Sequence, residues 1–166
     1  IMHSLALQMH SLGHKVTGSD DVIFEPSKSN LQKAGLFPES FGWFPEKINE
    51  NIDIVILGMH AKRDNPELKE AQGMNLKIQS YPEFLALLSE NKTRIVIAGS
   101  NGKIKIIAMI LHALEYHGIE TDYMVGAPAN ENSKNLSMGN KNDFVLLEGD
   151  EYLSSIIDPQ PKFLWY

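Results

Sequence analysis

The sequence predicts an α/β protein made of two parallel-sheet units in series. Strand-like apolar segments alternate with helical patterns along the chain, as they do where parallel sheets are covered by helices. Segments such as Ile52-Asp53-Ile54-Val55-Ile56-Leu57 and Arg94–Ala98 are short and rich in β-branched residues, the composition of buried strands. Gly13, Gly35, Gly73 and Gly118 each follow a helical pattern, where a chain needs a residue that leaves the helix easily.

Each element has its own signal. Met2, Leu5, Met9 and Leu12 recur at steps of three and four, one face of a first helix. Lys15-Val16-Thr17-Gly18 predicts a short strand ending at the polar turn Ser19-Asp20-Asp21. A second helix is expected over Ser29–Ala34 and a strand over Ile52–Leu57. A third helix starts at Asn65-Pro66-Glu67, an N-cap residue followed by proline at the first helical position and an acid. Leu76-Lys77-Ile78 resumes an extended strand, and Tyr81-Pro82-Glu83 opens a helix that reaches Ser89. The polar Asn91-Lys92-Thr93 reads as a hinge between units covering residues 1–90 and 91–166. Beyond it come a strand over Arg94–Ala98, a glycine-containing loop, a helix over Lys103–His117 and strands near Thr121–Val125 and Phe144–Leu147. Ala127–Asn142 is polar and rich in asparagine, and reads as a loop. The run Lys162-Phe163-Leu164-Trp165-Tyr166 reads as an unfinished buried strand. The chain also opens inside a helical pattern at Ile1, so the expectation is a piece of a larger protein.

Composition narrows the function classes. With 166 residues, 43% hydrophobic and 22% charged, the chain is long and apolar enough to bury a core. A net charge of −6 argues against a broad nucleic-acid-binding face. The absence of cysteine excludes disulfides, thiolate metal sites and a cysteine nucleophile, and fits a cytoplasmic location. The longest apolar run, around Ile54–Leu57, is too short to cross a bilayer. Neither nucleic acid nor membrane is therefore an expected partner. The histidines show no metal-ligand spacing, and the serines have no histidine–acid companions. Trp43, between Phe41 and Phe44, reads as part of a packing cluster.

Three segments can carry chemistry. In Ile95-Val96-Ile97-Ala98-Gly99-Ser100-Asn101-Gly102-Lys103 a buried strand enters a tight loop and then a helix. Glycines let backbone N–H groups turn toward an anion, the helix N-terminus adds positive potential, and Lys103 reaches terminal phosphates. The position after the lysine, where phosphate loops place a magnesium-binding hydroxyl, holds Ile104, followed by Lys105. The second segment, Phe144–Tyr152, delivers Glu148, Asp150 and Glu151 at the carboxyl end of a strand, where parallel sheets gather ligands and oxygen donors suit Mg²⁺. The third is Thr17-Gly18-Ser19-Asp20, whose acid is placed to accept from a ribose or a base. His60 follows the strand ending at Leu57 and lies on the same ligand-binding edge.

Together these residues resemble the Mur ligases, in the branch that starts from UDP-N-acetylmuramic acid. Gly99-Ser100-Asn101-Gly102-Lys103 is similar to that family's Gly-Thr-(His/Asn)-Gly-Lys-Thr loop, and Glu148-Gly149-Asp150-Glu151 to its Glu-Ala-Asp-Glu motif. Gly18-Ser19-Asp20 and Asp64-Asn65-Pro66-Glu67 fit its first domain. The resemblance implies a Rossmann-like UDP-sugar-binding domain over residues 1–90, lacking its first strand. It implies the first part of a P-loop-type central ATPase domain over 91–166. It further implies ATP and Mg²⁺, with Gly99, Ser100, Asn101, Gly102 and Lys103 at the phosphates and Glu148 as the magnesium ligand. Lys103 and Glu148 would then be catalytic, and Asp20, His60, Asp150 and Glu151 would meet the substrates, UDP-N-acetylmuramic acid and an amino acid or peptide. Tyr152, Asp158, Lys162-Phe163 and Tyr166 look more like the branch that adds a tripeptide than the one that adds L-alanine. Ile104 and Lys105 depart from the motif. The expectation is that this sequence is close to inactive in phosphoryl transfer, or belongs to a non-catalytic nucleotide-binding relative.

Overall fold

Two parallel sheets organise the chain. A computed structural model describes residues 1–127, 134–139 and 143–166. Helix α1 (Met2–Ser11) buries Leu5 and Met9, the face its spacing predicts, and α2 (Ser27–Lys33) buries Leu31. Strand β1 (Val55–Leu57) pairs in parallel with β2 (Ile78–Ser80), and α3 (Pro66–Gly73) is the crossover between them. The Asn65 side chain accepts from the Leu68 amide, so α3 starts where the Asn-Pro-Glu signal puts it.

Helix α4 (Tyr81–Leu88) follows β2 without a loop and carries a complete capping box. Ser80 Oγ accepts from the Glu83 amide, and the Glu83 carboxylate accepts from the Ser80 amide. The second sheet has the order β3-β6-β4-β5. Strands β3 (Thr93–Ala98), β6 (Phe144–Gly149) and β4 (Asp122–Met124) are parallel, and β5 (Leu136–Ser137) is antiparallel to β4. Helix α5 (Lys103–Tyr116) connects β3 to β4.

One apolar cluster runs through both sheets. Leu5 and Met9 of α1 and Tyr81, Phe84 and Leu85 of α4 belong to the same buried cluster as Met124, Leu136, Val145 and Leu147. A smaller cluster of Ile107, Val125 and Leu146 seats α5 on the other face of the second sheet. Strand β6 alternates between the two, with Val145 and Leu147 facing the first and Leu146 the second, so it is buried on both faces.

Several elements differ from expectation. Lys15–Gly18 forms no strand among the described residues, because no neighbouring strand offers it a ladder. The first-sheet strands are shorter than their apolar runs: pairing is confined to Val55–Leu57 and Ile78–Ser80. Within the expected loop Ala127–Asn142, Leu136–Ser137 adds a strand, and residues 128–133 and 140–142 lie outside the described residues. The terminal run is a 3₁₀ turn over Lys162–Trp165. It folds back instead of extending, the Lys162 and Phe163 amides donating to the carbonyls of Tyr152 and Asp150. The expected hinge is tied down: the Thr93 amide donates to Asp143 and Lys92 pairs with Asp122 at 3.0 Å. Trp43 is partly exposed, and Phe41 packs edge-on against Phe37.

Candidate functional site

The register of two strands builds the site. Parallel pairing sets Ile97 opposite Glu148 and Ala98 opposite Gly149. The loop leaving β3 and the acids leaving β6 therefore emerge side by side at the carboxyl edge of the sheet. Gly149 makes this approach possible: a Cβ there would lie 2.9 Å from Ala98 Cβ and 3.0 Å from Val96 Cγ1.

The loop is shaped by glycine. Gly102 has φ +82° and Gly99 φ +143°, conformations that L side chains rarely adopt. Gly102 is also the N-cap of α5 and brings no side-chain cap, and the first helical turn holds no acid. The first amides of α5 therefore lack the side-chain acceptor that closes α3 and α4. Ala98, Gly99, Ser100, Gly149, Glu151 and Phe163 line a cavity of about 230 Å³ over this loop.

Charged groups at the mouth are matched to one another. Lys103 Nζ donates to the Gly99 carbonyl at 2.8 Å and to Glu151 Oε2 at 3.2 Å. The Glu151 hydrogen bond raises the Lys103 amine above its ordinary range. The Glu151 carboxyl is lowered, first by its own backbone amide and then by Lys103. Lys162 Nζ lies 2.5 Å from Asp150 Oδ2, and the Tyr152 amide donates to Asp150 Oδ1. Burial pushes the Asp150 carboxyl up, but Lys162 and that amide outweigh it and hold it below the usual range. Glu148 is buried, and its Oε2 accepts from the Gly126 amide at 2.5 Å. Behind the acids, burial raises the Tyr81 phenol well above its ordinary range, with Tyr166, Glu148 and Asp150 pushing the same way.

The structure thus brings Gly99, Ser100 and Glu151 to one cavity, puts Lys103 on Glu151, and sets Glu148 and Asp150 on the adjoining strand end. Asn101 sits exposed in the loop. His60 lies beyond the carboxyl end of β1 in the other sheet, and Asp20 lies in the irregular segment between α1 and α2. Asp20 lies 3.3 Å from His3 Nε2 and accepts from the Asp21 amide, and His60 is exposed in the turn after β1. Sequence reasoning left Lys162, Phe163 and Gly126 out of the site. Lys162 and Phe163 were hidden in an apolar run, and Gly126 contributes only an amide, which any residue type supplies.

Residues 1–93 match the model of the Mur ligase family, catalytic domain. The chain belongs to the Mur ligase family. It is 32% identical over 161 residues to the UDP-N-acetylmuramate–L-alanine ligase of Anaeromyxobacter dehalogenans, covering 96% of this chain and 34% of that protein. The crystal structure of a murein peptide ligase, Mpl, from Psychrobacter arcticus superposes with a TM-score of 0.82 at 28% identity, over 99% of this chain and 38% of that one. The UDP-N-acetylmuramate:L-alanyl-γ-D-glutamyl-meso-diaminopimelate ligase of Neisseria meningitides shares the fold, with a TM-score of 0.87 at 23% identity over 99% of this chain and 54% of that one. This Mur ligase chain spans about a third of the length of the curated relatives it matches.

The loop opens on a cavity and ends at a helix start with no side-chain cap, but the donors around it do not make a magnesium shell. The first turn of α5 offers Ile104 where a hydroxyl is needed. Glu148 Oε2 is taken by an amide, and Asp150 and Glu151 are neutralised by lysines. Among the described residues no three His, Asp or Glu side chains are grouped to hold a metal ion. No described helix is long and apolar enough to cross a membrane.

Proposed function

We propose that the full-length protein is a cytoplasmic Mur ligase that joins the muramyl carboxylate of UDP-N-acetylmuramic acid to the amino group of a peptide, with ATP as the energy source. A carboxylate is a poor electrophile toward amines. Transfer of a phosphoryl group to it creates an acyl phosphate, from which the amine displaces phosphate and forms the amide. In this reading residues 1–90 hold the UDP-sugar, with Asp20 and His60 toward the nucleotide, and residues 91–166 begin the ATP-binding domain. Gly99, Ser100, Asn101 and Gly102 present amides to the phosphates, Lys103 offsets their charge, and Asp150 and Glu151 lie toward the muramyl group. The observation that supports this most is the register that sets the Gly99–Lys103 loop beside Asp150 and Glu151 within a Mur ligase chain.

The peptide as amine substrate is supported by the likeness to the Psychrobacter arcticus murein peptide ligase at a TM-score of 0.82. L-Alanine is the second reading, favoured by the 32% identity to an L-alanine-adding relative. Titration of the full-length protein with UDP-N-acetylmuramic acid tests the assignment, and absence of binding with the circular dichroism spectrum intact would overturn it. Competition between L-alanyl-γ-D-glutamyl-meso-diaminopimelate and L-alanine for ligation is expected to favour the tripeptide. Preference for L-alanine would move the protein to the second reading. Because α5 lacks the hydroxyl, the double variant Ile104→Thr, Lys105→Thr is expected to ligate about a hundredfold faster than the unaltered sequence. Equal rates would show that the hydroxyl is dispensable.

A further inference from the structure

We propose that the phosphate loop of this chain is metal-independent and self-latched. The Glu151 carboxylate holds Lys103 closed over the loop, and a nucleoside triphosphate binds in its metal-free form by displacing that carboxylate. This rests on reading the loop as a nucleotide-phosphate site.

The first observation is where Ile104 goes. Its side chain lines an apolar crevice with Ile107, Leu111, Tyr123 and Val125, between α5 and β4. The position that supplies a metal-binding hydroxyl in phosphate loops is here a half-buried apolar side chain turned to that crevice. The second is that the acids of the strand end are already engaged. Glu148 Oε2 accepts from Gly126, Asp150 is paired with Lys162, and Glu151 with Lys103. A divalent cation would compete with two lysines for Asp150 and Glu151 and would gain no hydroxyl from the loop.

The third is the position of the Lys103 amine, between the Gly99 carbonyl at 2.8 Å and Glu151 Oε2 at 3.2 Å. It closes the loop with its own side chain. Incoming phosphates reach this cation by taking the place of Glu151, which swings free on its exposed side. The released carboxylate then stands beside a polyanion with no metal to bridge the two. It repels the ligand that displaced it. Mg²⁺ in solution acts on the ligand instead, lowering its charge and weakening its hold on Lys103.

A metal-using site and a latched one respond to loss of the acid with opposite sign. Where a carboxylate helps to hold Mg²⁺, its removal weakens nucleotide binding. Here its removal strengthens binding, because Lys103 no longer has a competing partner.

Isothermal titration of the full-length protein with ATP, in EDTA and separately in excess Mg²⁺, reads this directly. UDP-N-acetylmuramic acid serves as an independent titrant for each variant. ATP in EDTA is expected to bind at least as tightly as ATP with Mg²⁺. Glu151→Gln should tighten metal-free ATP by about threefold to fivefold, the scale of an exposed ion pair. Lys103→Ala should weaken it about tenfold or more, as loss of a charge-assisted contact does. More than twofold tightening by Mg²⁺ in the unaltered protein, or weaker binding by Glu151→Gln, would overturn the proposal. Failure of ATP to bind in any condition, while UDP-N-acetylmuramic acid still binds, would overturn the nucleotide-loop reading itself and this inference with it.

Discussion

Helices α4 and α5 both begin at the carboxyl end of a parallel strand, and their first turns are finished in opposite ways. At α4 the Ser80 hydroxyl and the Glu83 carboxylate satisfy each other's amides, and the Ser80 hydroxyl also donates to the buried Asp158 at 3.1 Å. Trp165 Nε1 donates to the same carboxylate oxygen at 2.6 Å. At α5 the cap is Gly102, which brings no side chain, and the loop ahead of it opens on a cavity. A helix start closed by its own side chains holds structure together. One left open is available to a ligand.

The comparison breaks first at Asp158. Asp158→Ala strips the acceptor from Ser80 and Trp165, both tied to a carboxylate that is 9% exposed. Urea unfolding is expected to show a loss of about 3 kcal/mol, the scale of buried hydrogen bonds to a charged group. A loss under about 1 kcal/mol would show that the α4 start does not depend on this carboxylate. Gly102→Ala sharpens the other side. Nothing lies within 4 Å of the added Cβ, so the cost at φ +82° is conformational alone. It should be about 1 kcal/mol in the same unfolding measurement, and a cost near that of Asp158→Ala would mean that the open end is as structural as the closed one.

The smallest effect is a pH dependence. The Asp150 carboxyl is held below its usual 3.8, with Lys162 and the Tyr152 amide overcoming the burial that raises it. A lowered folded-state pKa means that this contribution is fully present above the unfolded value. It is lost as pH falls through the folded one. Asp150 keeps 28% of its side chain exposed, so solvent screening keeps the effect small. The urea midpoint should fall between pH 6 and pH 3, and fall less in Lys162→Met. An identical fall in both proteins would remove Lys162 as the cause.

How much of this was legible in the sequence follows the range of the interactions. Asn65-Pro66-Glu67 and Tyr81-Pro82-Glu83 announce helix starts because capping is settled within four residues. The Gly99–Lys103 loop is legible for the same reason: strand, glycines and lysine are consecutive. Lys15–Gly18 failed as a strand because a strand exists only with a partner, and partners are not written locally. Lys162–Tyr166 failed because an apolar run looks the same whether it extends or folds back. The fold-back, fixed by amide bonds to Tyr152 and Asp150, also brings Lys162 to Asp150 and Phe163 to the cavity. The motif residues could thus be named from the sequence, but not the lysine and amide that occupy Asp150 and Glu148.

The apolar cluster shared by the two sheets bears on how the chain is born. Leu5 and Met9 complete their burial against Met124, Leu136, Val145 and Leu147, and the Gln8 side chain donates to the Met138 carbonyl across 130 residues of sequence. On a ribosome that emits the N-terminus first, α1 must wait, its apolar face uncovered, until β6 has left the exit tunnel. Closing so long a loop is slow. A truncation near residue 90 would strand α1 and α4 with half a core, so the burial of the first sheet's helices is coupled to the arrival of the second sheet.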